Sequence, residues 1–301
     1  MPESTILADL SDQLASAVER AARSTVLVSA RQRIPASGIA WDAATVLTAD
    51  HVIEQDEAIT VLAPDGSSRD ATIVGRDPGS DLAILRVAGA ALVPAERAPE
   101  DSYHVGSLAL AVGRPSEEGP MASFGIVSAI NGPWRTRRGH RLANYLRSDT
   151  TFYPGFSGGP LADAHGRVIG MNSSRLGRGA GLTIPLTAAA PVIEDLLSRG
   201  RVRRAYLGVS SQVVPLPSAL AGHVGGQESG LLVVMVEPGS PADAAGLLVG
   251  DILARCAGNS LTDTESLQAQ LLPERVGVAL QFTILRGGAP RDITITPADR
   301  A

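Results

Sequence analysis

Apolar positions change their period along this chain. Ile6, Leu7, Leu10, Leu14 and Val18 recur near helical spacing and predict one amphipathic helix over residues 4–22. Short aliphatic and β-branched runs follow at residues 25–29, 38–40, 45–47, 58–62, 71–75, 82–87, 108–112, 121–130 and 168–172. Turn clusters such as Pro64, Asp65, Gly66 and Pro78, Gly79, Ser80 separate them. No helical stretch interrupts the series, which predicts an all-β barrel or sandwich rather than alternating β and α. Over residues 185–199 the helical period returns, with Val192, Ile193, Leu196 and Leu197 on one face and Gly200 as a stop.

A charged connector, Gly200, Arg201, Val202, Arg203, Arg204, then leads into a second strand-rich unit. It reads as a strand over 207–210, a loose Pro/Gly/Ser stretch, strands over 230–236 and 251–257, helices over 242–245 and 264–272, and two closing strands. Two domains are predicted, residues 1–203 and 204–301, the second a compact, partly open barrel.

Composition narrows the class little. A net charge of −5 gives no electrostatic reason to expect nucleic acid as partner. The first 25 residues have no basic start, apolar run or small-residue cleavage site, and no stretch is long and apolar enough to span a membrane. The expected location is therefore cytoplasmic, or periplasmic and extracytoplasmic if the sequence is trimmed. Cys256 is the only cysteine and alternates into an apolar strand, as a buried structural thiol would.

The strongest local signal is Pro154, Gly155, Phe156, Ser157, Gly158, Gly159, Pro160. A serine hydroxyl becomes a nucleophile when a base removes its proton and donors stabilise the oxyanion that forms. Flanking glycines let the Gly155 and Ser157 amides converge on one oxygen atom. Of five histidines, only His51 ends a strongly apolar strand, while His104, His140, His165 and His223 sit in polar loops. Asp81 stands where a turn enters an apolar strand and can orient that imidazole; Asp77, before the same turn, is the competing choice. The serine segment also fits the nucleophile elbow of α/β hydrolases. That motif needs a helix directly after the serine and the chain order Ser, Asp, His, whereas Pro160 and a hairpin follow here. The order His51, Asp81, Ser157 is that of a chymotrypsin-type double barrel.

Thr48, Ala49, Asp50, His51, Val52 resembles the histidine motif of HtrA/Deg proteases, Ser80, Asp81, Leu82, Ala83 their aspartate motif, and residues 149–161 their serine motif. Tyr206, Leu207, Gly208, Val209 resembles the carboxylate-binding loop of a PDZ domain, and Pro238 to Ala242 its turn and helix. The resemblance implies a mainly β chain: a chymotrypsin-like double β-barrel followed by a PDZ domain. It implies a catalytic triad of His51, Asp81 and Ser157, an oxyanion hole at Gly155 and Ser157, and peptide contacts at Leu207, Gly208, Val209, Leu267 and Leu271. The implied activity is ATP-independent hydrolysis of unfolded or damaged polypeptides without cofactor or metal. Its implied partners are those polypeptides and protein C-termini. The alternative is a catalytically latent chaperone or PDZ adaptor.

Five features bear on that resemblance. Phe156 replaces the usual Asn, leaving its side chain to shape the substrate cleft, and Asp50 stands where Asn or Ala is common. Thr150 to Tyr153 include no carboxylate, so a small or apolar residue is expected before the scissile bond. Homo-oligomers of the family are typically trimers cemented by N-terminal aromatic residues, yet none precedes Trp41. Residues 131–147 carry five arginines with Trp134 and Tyr145, where the family has a sensor loop linking PDZ occupancy to the active site.

Overall fold

The computed structural model describes residues 5–89, 91–135, 141–176 and 181–299. Two compact units divide the chain, Met1–Val202 and Arg203–Ala301.

The first unit opens with helix α1 (Ile6–Ala22), whose N-cap Thr5 accepts from the Ala8 amide. Only its C-terminal half is buried: Leu14, Ala17, Val18, Ala21 and Ala22 pack on Leu110, Val112 and Ala162. Ile6, Leu7 and Leu10 are exposed. Strands β1 (Thr25–Ser29), β2 (Ala36–Ala40), β3 (Thr45–Ala49), β4 (Ile59–Leu62), β5 (Ser68–Asp77) and β6 (Leu82–Val87) close into an antiparallel barrel ordered β1-β2-β3-β6-β5-β4. Every residue of β2 and β3 is buried, the polar Ser37, Thr45 and Thr48 included, so burial does not alternate along these strands.

A second barrel, ordered β11-β14-β13-β12-β7-β8, is formed by β7 (Leu108–Ser116), β8 (Gly119–Asn131), β11 (Tyr145–Ser148), β12 (Pro160–Ala162), β13 (Val168–Ser173) and β14 (Leu182–Pro185). Between β8 and β11 lies a short ribbon of β9 (Trp134–Arg135) and β10 (Arg141–Leu142). The centre of the Arg-rich segment, residues 136–140, falls outside the described residues together with His140. Helix α2 (Leu186–Arg199) lays Leu186, Ala188, Ala189, Val192, Ile193 and Leu196 into the main core and ends at Gly200, whose amide donates to Leu196 O. A mainly β, double-barrel architecture therefore holds for this unit. The strand at β11 lies inside the arginine-rich segment and shows no apolar run of its own.

The second unit is a sheet ordered β16-β17-β18-β20-β21, from β16 (Val209–Pro215), β17 (Ser229–Val236), β18 (Ile252–Cys256), β20 (Leu280–Arg286) and β21 (Ala289–Ile295). A short β19 (Asn259–Ser260) pairs with β18, and β15 (Ala205–Tyr206) pairs with β22 (Ala298–Asp299). Helices α3 (Ser218–Ala221), α4 (Pro241–Ala244) and α5 (Thr264–Gln270) complete it, the last with a capping box between Asp263 and Ser266. Helix α3 lies in the stretch read above as loose, and β16 runs five residues beyond Ser210. Cys256 is buried in this core, and burial pushes its thiol up to about 11, so it is protonated and inert at neutral pH. Among the described residues, no helix is long and apolar enough to cross a membrane.

Candidate active site

His51 lies in a single 3₁₀ turn, Asp50–Val52, that continues β3. Two interactions pin this turn to the residue just before β6: the Asp50 amide donates to Asp81 O at 3.1 Å and the His51 amide to Asp81 Oδ1 at 3.0 Å. The imidazole Nδ1 lies 2.9 Å from both Asp81 carboxylate oxygens. Ser173 Oγ, at the end of β13, donates to Oδ2 at 2.5 Å. Asp81 is 1% exposed, so its charge is held by these donors rather than by water. Its φ of +62° is a left-handed conformation that Asp tolerates better than most residues. Asp77 serves a different purpose: its carboxylate accepts from the Gly79 and Ser80 amides and closes the turn before Asp81.

Arg76 clamps the histidine turn from β5. Its Nε lies 2.6 Å from Asp50 Oδ1, its Nη2 donates to the carbonyls of Asp50 and Ile53, and its Nη1 meets Asp56 Oδ1 at 3.0 Å. Asp50, buried and adjacent to His51, thus has a charged partner.

The serine loop is built where the two barrels of this unit meet. Ser37 on β2 donates its amide to Ser157 O at 3.1 Å and its hydroxyl to Gly155 O at 2.7 Å, and receives the Arg114 amide at 2.8 Å. Thr48 Oγ1 donates to Ser37 O and fixes that residue in turn. Gly155 and Gly158 have φ of +89° and +87°, and a Cβ on Gly158 would fall 2.1 Å from Ser37 O. The Phe156 amide turns back to Tyr153 O and the Gly158 amide to Asn172 O. Among the described residues, the amides of Gly155 and Ser157 between them have no protein acceptor. Two amide donors, one on each side of the bonded Phe156 amide, are thereby left open on this loop.

Phe156 does not line a cleft. Its ring is fully buried in the second barrel, edge-on to Tyr153 with centroids 5.4 Å apart, and against Gly113, where a Cβ would lie 2.6 Å from the ring.

Ser157 Oγ is hydrogen-bonded not to His51 but to Ser174: 2.8 Å to Ser174 Oγ and 3.2 Å from the Ser174 amide. His51 and Asp81 are thus joined directly, while the Ser157 hydroxyl has a different partner. Ser37, Arg76, Ser173 and Ser174 belong to this arrangement without a motif that marks them in the sequence. Ser173 and Ser174 directly follow Asn172, at the end of an apolar strand, which was the signal available for them.

In the second unit, Leu207 and Leu267 are core residues at 2% and 6% exposure, and Val209 and Leu271 pack partly buried against them. Gly208 has a φ of +83°, and a Cβ there would meet Ser240 at 2.1 Å. Its carbonyl accepts from Glu237 and that of Leu207 from Ala242. Strand β16, which follows this loop, is an edge strand.

Two barrels with a His–Asp pair and a serine loop between them, followed by this sheet, define a trypsin-fold peptidase unit with a peptide-binding module. Family comparison agrees: residues 36–171 match the trypsin-like peptidase domain and residues 205–296 the PDZ domain. The chain is 30% identical to the serine endoprotease from Yersinia pestis, with a TM-score of 0.74 over 96% of this chain and 98% of that one. It is similar also to the HtrA-type protease AlgW with a decapeptide, at 28% identity and a TM-score of 0.73 over 96% and 99% of the two chains. It is 32% identical over 257 residues to the periplasmic pH-dependent serine endoprotease DegQ of Escherichia coli, covering 83% of this chain and 56% of that protein. The chain spans somewhat over half the length of the curated relatives it matches. It belongs to the HtrA family of trypsin-fold, PDZ-containing serine proteases.

Proposed function

We propose that this chain is a serine endopeptidase that cleaves unfolded or damaged polypeptides without a cofactor and is regulated by peptides bound at its PDZ domain. The observation that carries the reading is the buried Asp81 carboxylate on His51 Nδ1, 2.9 Å away, which occupies that ring nitrogen and leaves Nε2 for the role of base. In the reaction, Ser157 Oγ attacks the peptide carbonyl carbon and its proton passes to His51 Nε2. Asp81 stabilises the resulting imidazolium. The amides of Gly155 and Ser157 receive the oxyanion. His51 then protonates the departing amine, and water, deprotonated by the same imidazole, frees the acyl group. Residues 150–153 include no carboxylate, which supports a small or apolar residue before the cleaved bond.

For the PDZ domain, the free edge of β16 supports docking of a peptide C-terminus as an added strand. The Leu207 to Val209 loop receives its carboxylate, and Val209, Leu267 and Leu271 flank its last side chain. The relative named periplasmic favours an extracytoplasmic location over the cytoplasmic one. The bond from Ser157 to Ser174 gives a second reading its footing: a chain that is latent at rest and acts as a peptide-binding chaperone or adaptor.

The deciding experiment incubates the full chain with a reduced, permanently unfolded polypeptide and with its folded form, with and without a C-terminal PDZ peptide. Cleavage confined to the unfolded form and absent in Ser157→Ala is expected. No Ser157-dependent cleavage under either condition sinks the peptidase and favours the chaperone.

A further inference from the structure

Ser174 touches the reacting oxygen and has no role in the mechanism above. It is exposed, just beyond the last residue of β13, and both its hydroxyl and its amide bond Ser157 Oγ. Its neighbour Ser173 is buried and holds Asp81. Successive residues at this strand end therefore grip the acidic and the nucleophilic members of the site separately. We propose that Ser174 is a positioning residue that holds the Ser157 hydroxyl off His51 in the resting enzyme, so that the nucleophile is released only when this pair opens. The inference rests on the peptidase reading.

A serine side chain has one heavy-atom rotor and three staggered positions. In the observed position Ser157 Oγ accepts the Ser174 amide and shares a proton with Ser174 Oγ, and among the described residues it has no bond to His51. Transfer of its proton to His51 requires a hydrogen bond to that ring. The two arrangements therefore compete for one hydroxyl. Removing Ser174 Oγ takes away one neutral hydrogen bond of the resting arrangement while leaving the amide bond. The expected gain in the released position is about 2- to 10-fold.

The test measures the rate at which a fluorophosphonate labels the full chain between pH 5 and 9, in the wild type, Ser174→Ala, Ser174→Thr and Ser157→Ala. Ser174→Ala should label about 2 to 10 times faster at every pH, with the midpoint of the pH profile unmoved. Ser174→Thr, which keeps the hydroxyl, should label like the wild type. Because Ser174 is exposed, melting temperatures should agree among these variants. Equal or slower labelling in Ser174→Ala overturns the inference, as does a gain that the Thr variant shares. If labelling depends on Ser157 but not on Ser174, only this inference falls. If no variant labels at all, the peptidase reading falls and takes it along.

Discussion

One oxygen atom, Asp81 Oδ1, accepts from both the main-chain amide of His51 at 3.0 Å and its ring Nδ1 at 2.9 Å. The same carboxylate thus sets where the histidine turn sits and which tautomer its imidazole adopts, and Ser173 holds it from the other barrel at 2.5 Å. In Asp81→Asn the side chain presents an amide where a carboxylate is needed, so the imidazolium loses its partner. Turnover should fall about 10⁴-fold. Because Asn is well suited to the φ of +62°, the fold should survive, whereas Asp81→Ala should lose activity and stability together. Peptide hydrolysis assayed beside thermal melting separates the two effects.

Arg76 is expected to matter through Asp50. Removal of the guanidinium in Arg76→Met leaves a carboxylate that is 2% exposed without its charged partner, and frees the carbonyls of Asp50 and Ile53. Breaking a buried pair from one side costs about 3–5 kcal/mol, and the partial exposure of Arg76 lowers that to about 2–4 kcal/mol. The double variant Arg76→Met, Asp50→Asn carries no stranded charge and should regain part of the loss. Urea unfolding of the single and double variants measures the coupling, and strict additivity would argue against the clamp.

Phe156 is expected to matter through the packing of its ring. Its ring is sealed between Tyr153 and Gly113, so Phe156→Ala should cost about 3–5 kcal/mol. Phe156→Asn should be no better, since it adds a buried amide to the same cavity. Gly113→Ala should also destabilise, because its methyl group would fall 2.6 Å from the ring. Denaturation midpoints of the three variants give the comparison.

Much of this arrangement is legible in the chain because the barrel strands are short runs of Val, Ile, Leu and Ala with turns between them. The chain order of His51, Asp81 and Ser157 then excludes a hydrolase elbow. Strand β11 escapes notice because Tyr145 to Ser148 pairs with β8 and β14 while carrying a single buried residue, Leu146. Pairing partners far away in sequence make it a strand, not its own pattern. The position of Phe156 is hidden for a similar reason: a flanking Gly-rich turn suggests a cleft, but the ring's place is decided by Gly113 on a distant strand. Ser37, Ser173 and Ser174 are small polar residues that fit any loop or strand. Their importance comes from what the fold places opposite them.

The second unit offers a pH test. Asp251 is 2% exposed, and burial alone would raise its carboxyl. Two hydrogen bonds from Arg286, at 2.8 and 2.6 Å, and one from the Leu248 amide at 2.8 Å outweigh burial and hold it below the usual carboxylate range. A carboxyl depressed in the folded state contributes stability that is present above about pH 4, its unfolded value, and is lost as pH falls through the folded value. In Asp251→Asn that contribution is absent at every pH. The wild type should therefore be more stable than the variant at pH 6, with the gap closing as pH drops from about 4 toward 2. Arg286, which also donates to Gly246 O, ties the Gly246 to Asp251 loop to β20, so the effect should be local. Residue-resolved exchange of the Leu248 amide in the full chain is the measurement, with protection lost in acid by the wild type and already reduced at pH 6 in the variant. A gap that stays constant over this range would remove the ion pair as its source.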